Sequence, residues 1–153
     1  AAVAAGSAMA VHGALVTSAS IINTVRSGQA LWASVKSVAT ANNARKLERN
    51  IERATGQTKP AGYETHHIVP SGSNYDSARE ARDVLKNFGI DINDAGNGVF
   101  LPREIHNGLA NDHRYMEAVL KDLKKATSKD EVIEILQRIG QQLLDGTYPR
   151  SGR

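Results

Sequence analysis

Cysteine is missing from all 153 residues. That excludes a disulfide framework and a thiolate-held zinc, so any metal must be bound by His, Asp, Glu or Asn. Charge is nearly missing from residues 1–44, where Arg26 and Lys36 are the only charged side chains. No basic segment precedes this apolar start, and the chain begins with Ala rather than Met. The stretch therefore does not read as a signal peptide, and the chain reads as a piece of a longer polypeptide. A strongly hydrophobic run is also lacking. Residues 1–25 are uncharged and long enough to span a bilayer, yet Ser7, Thr17, Ser18, Ser20 and Asn23 make them weakly hydrophobic. The expectation is a helical hairpin broken at Ser27–Gly28, packed on itself or on the rest of a parent chain. The alternative is a segment, residues 1–25, that meets a membrane transiently during delivery. His12, set among small residues, reads as a bystander. The charge of the whole chain is +3 and its pI about 9.3. That mild excess permits an acidic partner such as nucleic acid without demonstrating one.

Around Arg45 the character changes. In RKLERNIER, residues 45–53, charge alternates with Leu47 and Ile51, whose spacing puts them on one helix face. Arg45, Lys46, Arg49 and Arg53 are either phosphate contacts or an ordinary solvated face. Residues 54–62, ATGQTKPAG, read as a linker, because Gly56, Pro60 and Gly62 stop a helix. The division expected is a helical extension over residues 1–56 and the functional domain over residues 57–153.

The domain is organised around GYETHHIVP, residues 62–70. Tyr63, Thr65, Ile68 and Val69 favour an extended backbone that Gly62 and Pro70 bound. His66 and His67 stand at its centre. Neutral imidazole is both a metal ligand and a base poised near neutral pH. Successive side chains of an ideal strand point to opposite faces, so the strand has to twist or end there for both histidines to reach one site. Beyond it, Asp76 or Ser77 caps a helix with Ala78, Ala81, Val84, Leu85 and Phe88 as its apolar stripe and Gly89 at its end. Asn93–Asp94 and Asn97–Gly98 are turn signals before a second short strand, Val99 to Leu101. The Asn97 amide can also bond backbone groups of a facing loop and lock the strand ends together.

Pro102 opens a helix containing His106. In one straight helix His106 and His113 would share a face about 10.5 Å apart along the axis, too far to bind one ion. Either His113 is not a ligand of an ion held by His106, or the helix breaks near Gly108 or Asn111–Asp112. The expectation is a break, with Asp112 or Asn111 capping a second helix that buries Met116, Val119, Leu120 and Leu123. Ser128 and Glu131 form a capping-box signature for the last helix, whose stripe is Val132, Ile135, Leu136, Ile139 and Leu143. Residues 148–153 read as a short mobile basic tail.

The ordered set of His66–His67, Asn97 before a second strand and His106 on the following helix resembles the HNH, or ββα-metal, nucleases. It resembles specifically their AHH branch, found as C-terminal toxin domains of bacterial polymorphic toxins. THHIVP, LKNFGIDINDAGNGVFLP and His106 carry the resemblance over residues 63–123, and the nine-residue step from Asn97 to His106 is similar to that of colicin-type HNH nucleases. It implies an α+β, mostly helical fold: a ββα-metal core with added C-terminal helices and an Ala-rich N-terminal helical extension, the pre-toxin or delivery segment. The implied activity is metal-dependent hydrolysis of phosphodiester bonds in DNA, more than RNA, used in interbacterial competition. The implied cofactor is one divalent ion: Mg, Mn, Ni or Zn.

By the same resemblance His67 is the general base, His66 and His106 are metal ligands, and Asn97 holds the loop that presents His67. Two positions depart from the family. Thr65 stands where its name has Ala, and Ala110 stands where colicin-type members carry a further ligand histidine, so His113 or water must complete the metal's sphere. Arg103, Arg114, Lys121, Lys124 and Lys125 are candidate phosphate contacts or plain surface charge. The partners implied are DNA, a cognate acidic immunity protein and the parent toxin polypeptide or delivery machinery. The domain would be secreted or injected by its producer and act in the target-cell cytoplasm. Two other function classes stay open: a non-catalytic metal-stapled binding module, and a membrane-active toxin working through residues 1–25.

Overall fold

The computed structural model describes residues 18–151. Backbone contacts divide the chain at Val35, and the compact unit Lys36–Arg153 holds the strands, the later helices and the cleft. The first helix, α1, is Ser18–Thr55. It is continuous through Ser27–Gly28, where a break was expected; one glycine costs a helix only about 1 kcal/mol, and its Ala-rich surroundings favour helix. Among the described residues no helix is long and apolar enough to cross a membrane. Residues 1–17, and with them His12 and most of the segment proposed to meet a membrane, lie outside the described residues.

The chain is mostly helical around a small antiparallel pair, β1 (Tyr63–His67) and β2 (Gly98–Pro102), in which His66 faces Val99 and His67 faces Gly98. The helix α2 (Asp76–Asn87) is inserted between the strands, and α3 (Arg103–His106) follows β2 directly. This is a ββα unit. Its helix is four residues long: Asn107 is already extended, and Gly108 follows with a left-handed φ of 88°, which L side chains disfavour. A 3₁₀ turn, Leu109–Asn111, leads to α4 (His113–Leu123), whose cap is Asp112: its carboxylate accepts from Tyr115 N at 3.0 Å. The break expected between His106 and His113 is present. α5 (Lys129–Leu144) starts as its capping residues require, with Ser128 Oγ accepting from Glu131 N at 3.2 Å. The start of α2 differs from expectation. Its cap is Tyr75, without a side-chain bond, while Asp76 lies in the first turn paired with Arg79 and Ser77 is buried.

α2 packs on α4, and α5 packs on β2, around buried Ile68, Val69, Leu85, Leu101, Met116 and Leu136. The C-terminal part of α1 joins them through Leu47 and Ile51, both buried. The fit is close: a Cβ on Gly98 would come within 2.7 Å of both side chains. Glu48 adds a polar tie, its carboxylate accepting from Lys59 Nζ at 2.9 Å and from Thr65 Oγ1 at 3.0 Å. The tail, expected to be mobile, is docked as far as Ser151. Tyr148 is buried with its hydroxyl on Asp122, Arg150 donates to Ile105 O at 3.1 Å, and Ser151 N and Oγ both donate to the Asp112 carboxylate. A basic hexapeptide read alone gives no hint of these partners.

Candidate active site

Strand β1 ends at His67, and both of its histidines line one cleft. The next pair keeps the same register, Ile68 N–H donating to Asn97 O at 3.0 Å. Asn97, wholly buried, accepts from Val69 N at 2.8 Å and donates through Nδ2 to Val69 O at 3.1 Å and Ile92 O at 2.8 Å. One side-chain amide thus ties the exit of β1 to the entry of β2. His66 and His67 are both buried, and both line a cleft of about 530 Å³ together with His106. The imidazoles of His66 and His106 meet edge to face, with centroids 5.4 Å apart. The other walls are Thr40, Ala41 and Ala44 of α1 and the Ser71–Gly72–Ser73 loop.

Hydrogen bonds fix which ring nitrogens are free. Tyr115 has one hydroxyl proton, and it goes to Ile68 O at 2.8 Å. The same oxygen lies 3.0 Å from His66 Nε2 and so must accept there, which leaves His66 protonated on Nε2 with its lone pair on Nδ1. His67 Nε2 lies 3.0 Å from Asn93 Oδ1, an atom that only accepts, so His67 too keeps its lone pair on Nδ1. Burial reinforces this neutrality. Desolvation, aided by the neighbouring His106 and His67, lowers the pKa of His66 to about 3. His67 is lowered by burial against the opposing bond from Asn93, and His106 by burial against the opposing charge of Glu64. Burial also raises Tyr115 well above the ordinary phenol range, which keeps its proton in place.

Among the described residues no group of three or more His, Cys, Asp or Glu is gathered closely enough to hold a metal. What the cleft offers is two imidazoles, His66 and His106, meeting edge to face. That donor set fits an open site with two protein ligands, the remaining positions going to water and phosphate oxygens; it does not fit a closed structural cage. His113 is not brought to the cleft. It is exposed on α4, 3.2 Å from Glu117 and edge to face with Tyr75.

Residues 47–143, more than half of the chain, match the family model of AHH, a nuclease family of the HNH/ENDO VII superfamily with conserved AHH. The chain belongs to this family. No curated protein and no solved structure matches it significantly. Nuclease activity follows from AHH membership in general terms, and the ββα unit with its histidine-lined cleft is the corresponding fold.

Two positions that depart from the expected pattern have visible surroundings. Thr65, at the family's alanine, donates its hydroxyl to Glu48 of α1, so a side chain with no chemical role fastens β1 to the helix before it. Ala110 does line the cleft, and it presents only a methyl group. Among the described residues no Lys or Arg lines the cleft. Arg103 binds Glu64, itself a cleft residue, through Nε at 3.1 Å and Nη2 at 2.9 Å. Lys124 is paired with Glu80 and Lys125 with Asp122, while Arg114 and Lys121 are exposed on α4. Sequence reasoning did not single out Tyr115 or Asn93 for the site. Tyr115 was findable, since it adjoins Met116 in the buried stripe of α4 and a buried tyrosine has to place its hydroxyl on a partner. Asn93 carried only a turn signal.

Proposed function

We propose that the domain is a metal-dependent endonuclease toxin that hydrolyses phosphodiester bonds of DNA, with His67 as general base and His66 and His106 as ligands of one divalent ion. The observation that carries this reading is the meeting of His66, His67 and His106 in one cleft. His67 Nδ1, free of its own proton, takes one from a water molecule lying in line with the scissile bond. The water oxygen bonds to phosphorus, the bond to the 3′ oxygen breaks, and that oxygen leaves with a proton from solvent. The chemistry a divalent ion supplies when bound at such a site is neutralisation of the charge developing on the phosphate and on the leaving oxygen. Asn97 keeps the loop carrying His67 registered against β2. Arg103, at the rim beside Glu64, and the exposed Arg114 and Lys121 are the cations best able to meet flanking phosphates; Lys124 has first to leave Glu80.

The decisive experiment incubates the purified chain with supercoiled plasmid and with total RNA, across Mg²⁺, Mn²⁺, Ni²⁺ and Zn²⁺ and with chelator. Metal-dependent nicking of plasmid is expected; cleavage of RNA alone would reassign the substrate, and absence of any cleavage would leave the non-catalytic module. A nuclease that reads backbone rather than sequence endangers its producer. The reading therefore includes a cognate acidic immunity protein and delivery, by secretion or injection within a parent toxin, into the target-cell cytoplasm. Expression in a bacterial cytoplasm should be lethal, His67→Ala should be tolerated, and the open reading frame next to the parent gene should rescue the wild type.

A further inference from the structure

We infer that Asn93 is the positioning residue of His67, held in place by Asn43 and Asn50, so that the catalytic unit includes a part of α1 lying upstream of the family-matched residues. The inference rests on His67 acting as the base. Every polar group of Asn93 has a partner. Its N–H donates to Asp91 Oδ1 at 2.8 Å, and its carbonyl accepts from Asn50 Nδ2 at 2.6 Å. Its Nδ2 donates to Asn43 Oδ1 at 3.3 Å, and its Oδ1 lies 3.0 Å from His67 Nε2. The residue is 3 % exposed, so water does not compete for these bonds.

The direction of the chain of bonds is what matters. A rotated Asn93 amide would set its oxygen against the oxygen of Asn43 and its NH₂ against His67 Nε2. With the Asn43 amide as it stands, its oxygen disfavours that rotation and favours an acceptor facing the imidazole. An acceptor at Nε2 puts the ring proton there and the lone pair on Nδ1, which is the nitrogen a base on the cleft side has to offer. Asn97, four residues on, serves the backbone instead. The two asparagines therefore divide the work: one sets the loop and the other sets the ring.

Asn43 precedes residue 47, where the family match begins, and it sits in the stretch of α1 that also supplies Thr40, Ala41 and Ala44 to the cleft wall. Helix α1 reaches this position by burying Leu47 and Ile51 against Gly98. Docking of an upstream helix and readiness of the base are thus one structural event.

The test uses the full chain. Two-bond ¹H–¹⁵N correlation spectra of the metal-free wild type should show His67 as the Nε2–H tautomer, and in Asn93→Leu as a mixture. The leucine variant should lose about 10- to 100-fold in kcat on plasmid, the usual effect of removing a ligand's or base's orienting partner, with KM little changed. Asn93→Asp, which keeps an oxygen facing Nε2, should restore both the tautomer and most of kcat. Asn43→Ala, milder for folding, should shift the tautomer in the same direction as leucine and lower kcat less. An Nδ1–H tautomer in the wild type would overturn the inference, as would unchanged kcat in a folded Asn93→Leu or an aspartate variant no better than leucine. If instead His67→Ala retained full turnover, the base reading itself would fall, a result distinguishable from all of these.

Discussion

The hydroxyl of Tyr115 stands between the His66 ring and the carbonyl of Ile68, and its removal leaves a buried donor and a buried acceptor unmatched. Tyr115→Phe should therefore cost roughly 1–3 kcal/mol of stability, read as a lower denaturant midpoint with an unchanged slope. It should also weaken metal binding about 10- to 100-fold, because His66 loses the bond that fixes its tautomer; calorimetric titration would measure this. The histidines should separate by role under the same titration. His67→Ala should abolish cleavage with metal affinity nearly intact, whereas His106→Ala should lose both together. Equal loss of affinity in the two variants would mean that His67 is itself a ligand.

At the scale of elements, the contact that matters most is α1 on the strand pair. Gly98 opens β2 opposite His67, and Leu47 and Ile51 occupy the space where a side chain would stand. Gly98→Ala should destabilise the unit by about 1–3 kcal/mol through overpacking. Because the displaced helix carries Asn43 and the cleft wall, cleavage should fall by more than the stability loss alone accounts for. Denaturant unfolding and nicking rates measured at one temperature on the same samples test this. A variant that unfolds more easily yet cuts at the wild-type rate when folded would show that the helix is only a prop. The C-terminal tail has a comparable place, since Arg150 and Ser151 bond to Ile105 O and to the Asp112 cap on either side of the α3–α4 corner. It holds the short helix that presents His106.

For the molecule as a whole, the buried His66 and His67 and the half-buried His106 set the response to acid. The pKa values of His66, His67 and His106 are all lowered on folding, that of His66 from 6.5 to about 3. The unfolded chain therefore binds more protons than the folded one once pH drops below about 6.5. Their neutrality favours the fold fully above that value, and the advantage shrinks steadily as pH falls toward about 3 for His66. For His66 alone the slope approaches about 1.4 kcal/mol per pH unit within that window. Thermal melts of the metal-free chain should fall progressively from pH 7 to pH 4, and added divalent metal, which competes with protons for the same nitrogens, should move the decline to lower pH. A melting temperature independent of pH over that range would mean that the imidazoles are solvated.

The amino-acid sequence by itself determined the parts that depend on neighbours along the chain. His66–His67 on a short strand, Asn97 at a turn, a break between His106 and His113, a cap at Asp112 or Asn111 and the cap at Ser128 were all legible. Their signals are local: glycine conformations, capping side chains and the spacing of apolar residues. The docked tail, the Tyr75 cap of α2 and the unbroken α1 departed from the reading because tertiary contacts and helical surroundings outweighed weak local preferences. Only the tertiary structure decided which side chains serve the histidines. Asn93 lies 26 residues from His67, Tyr115 49 residues from His66, and Asn43 50 residues from Asn93. It also left His113 outside the cleft, on the surface of α4. A short motif can say which groups do the chemistry, but the bond that orients each ring comes from whichever distant element the core packs beside it. That choice is set by burial of Leu47, Ile51, Tyr115 and Met116 together, and no single stretch of the chain records it.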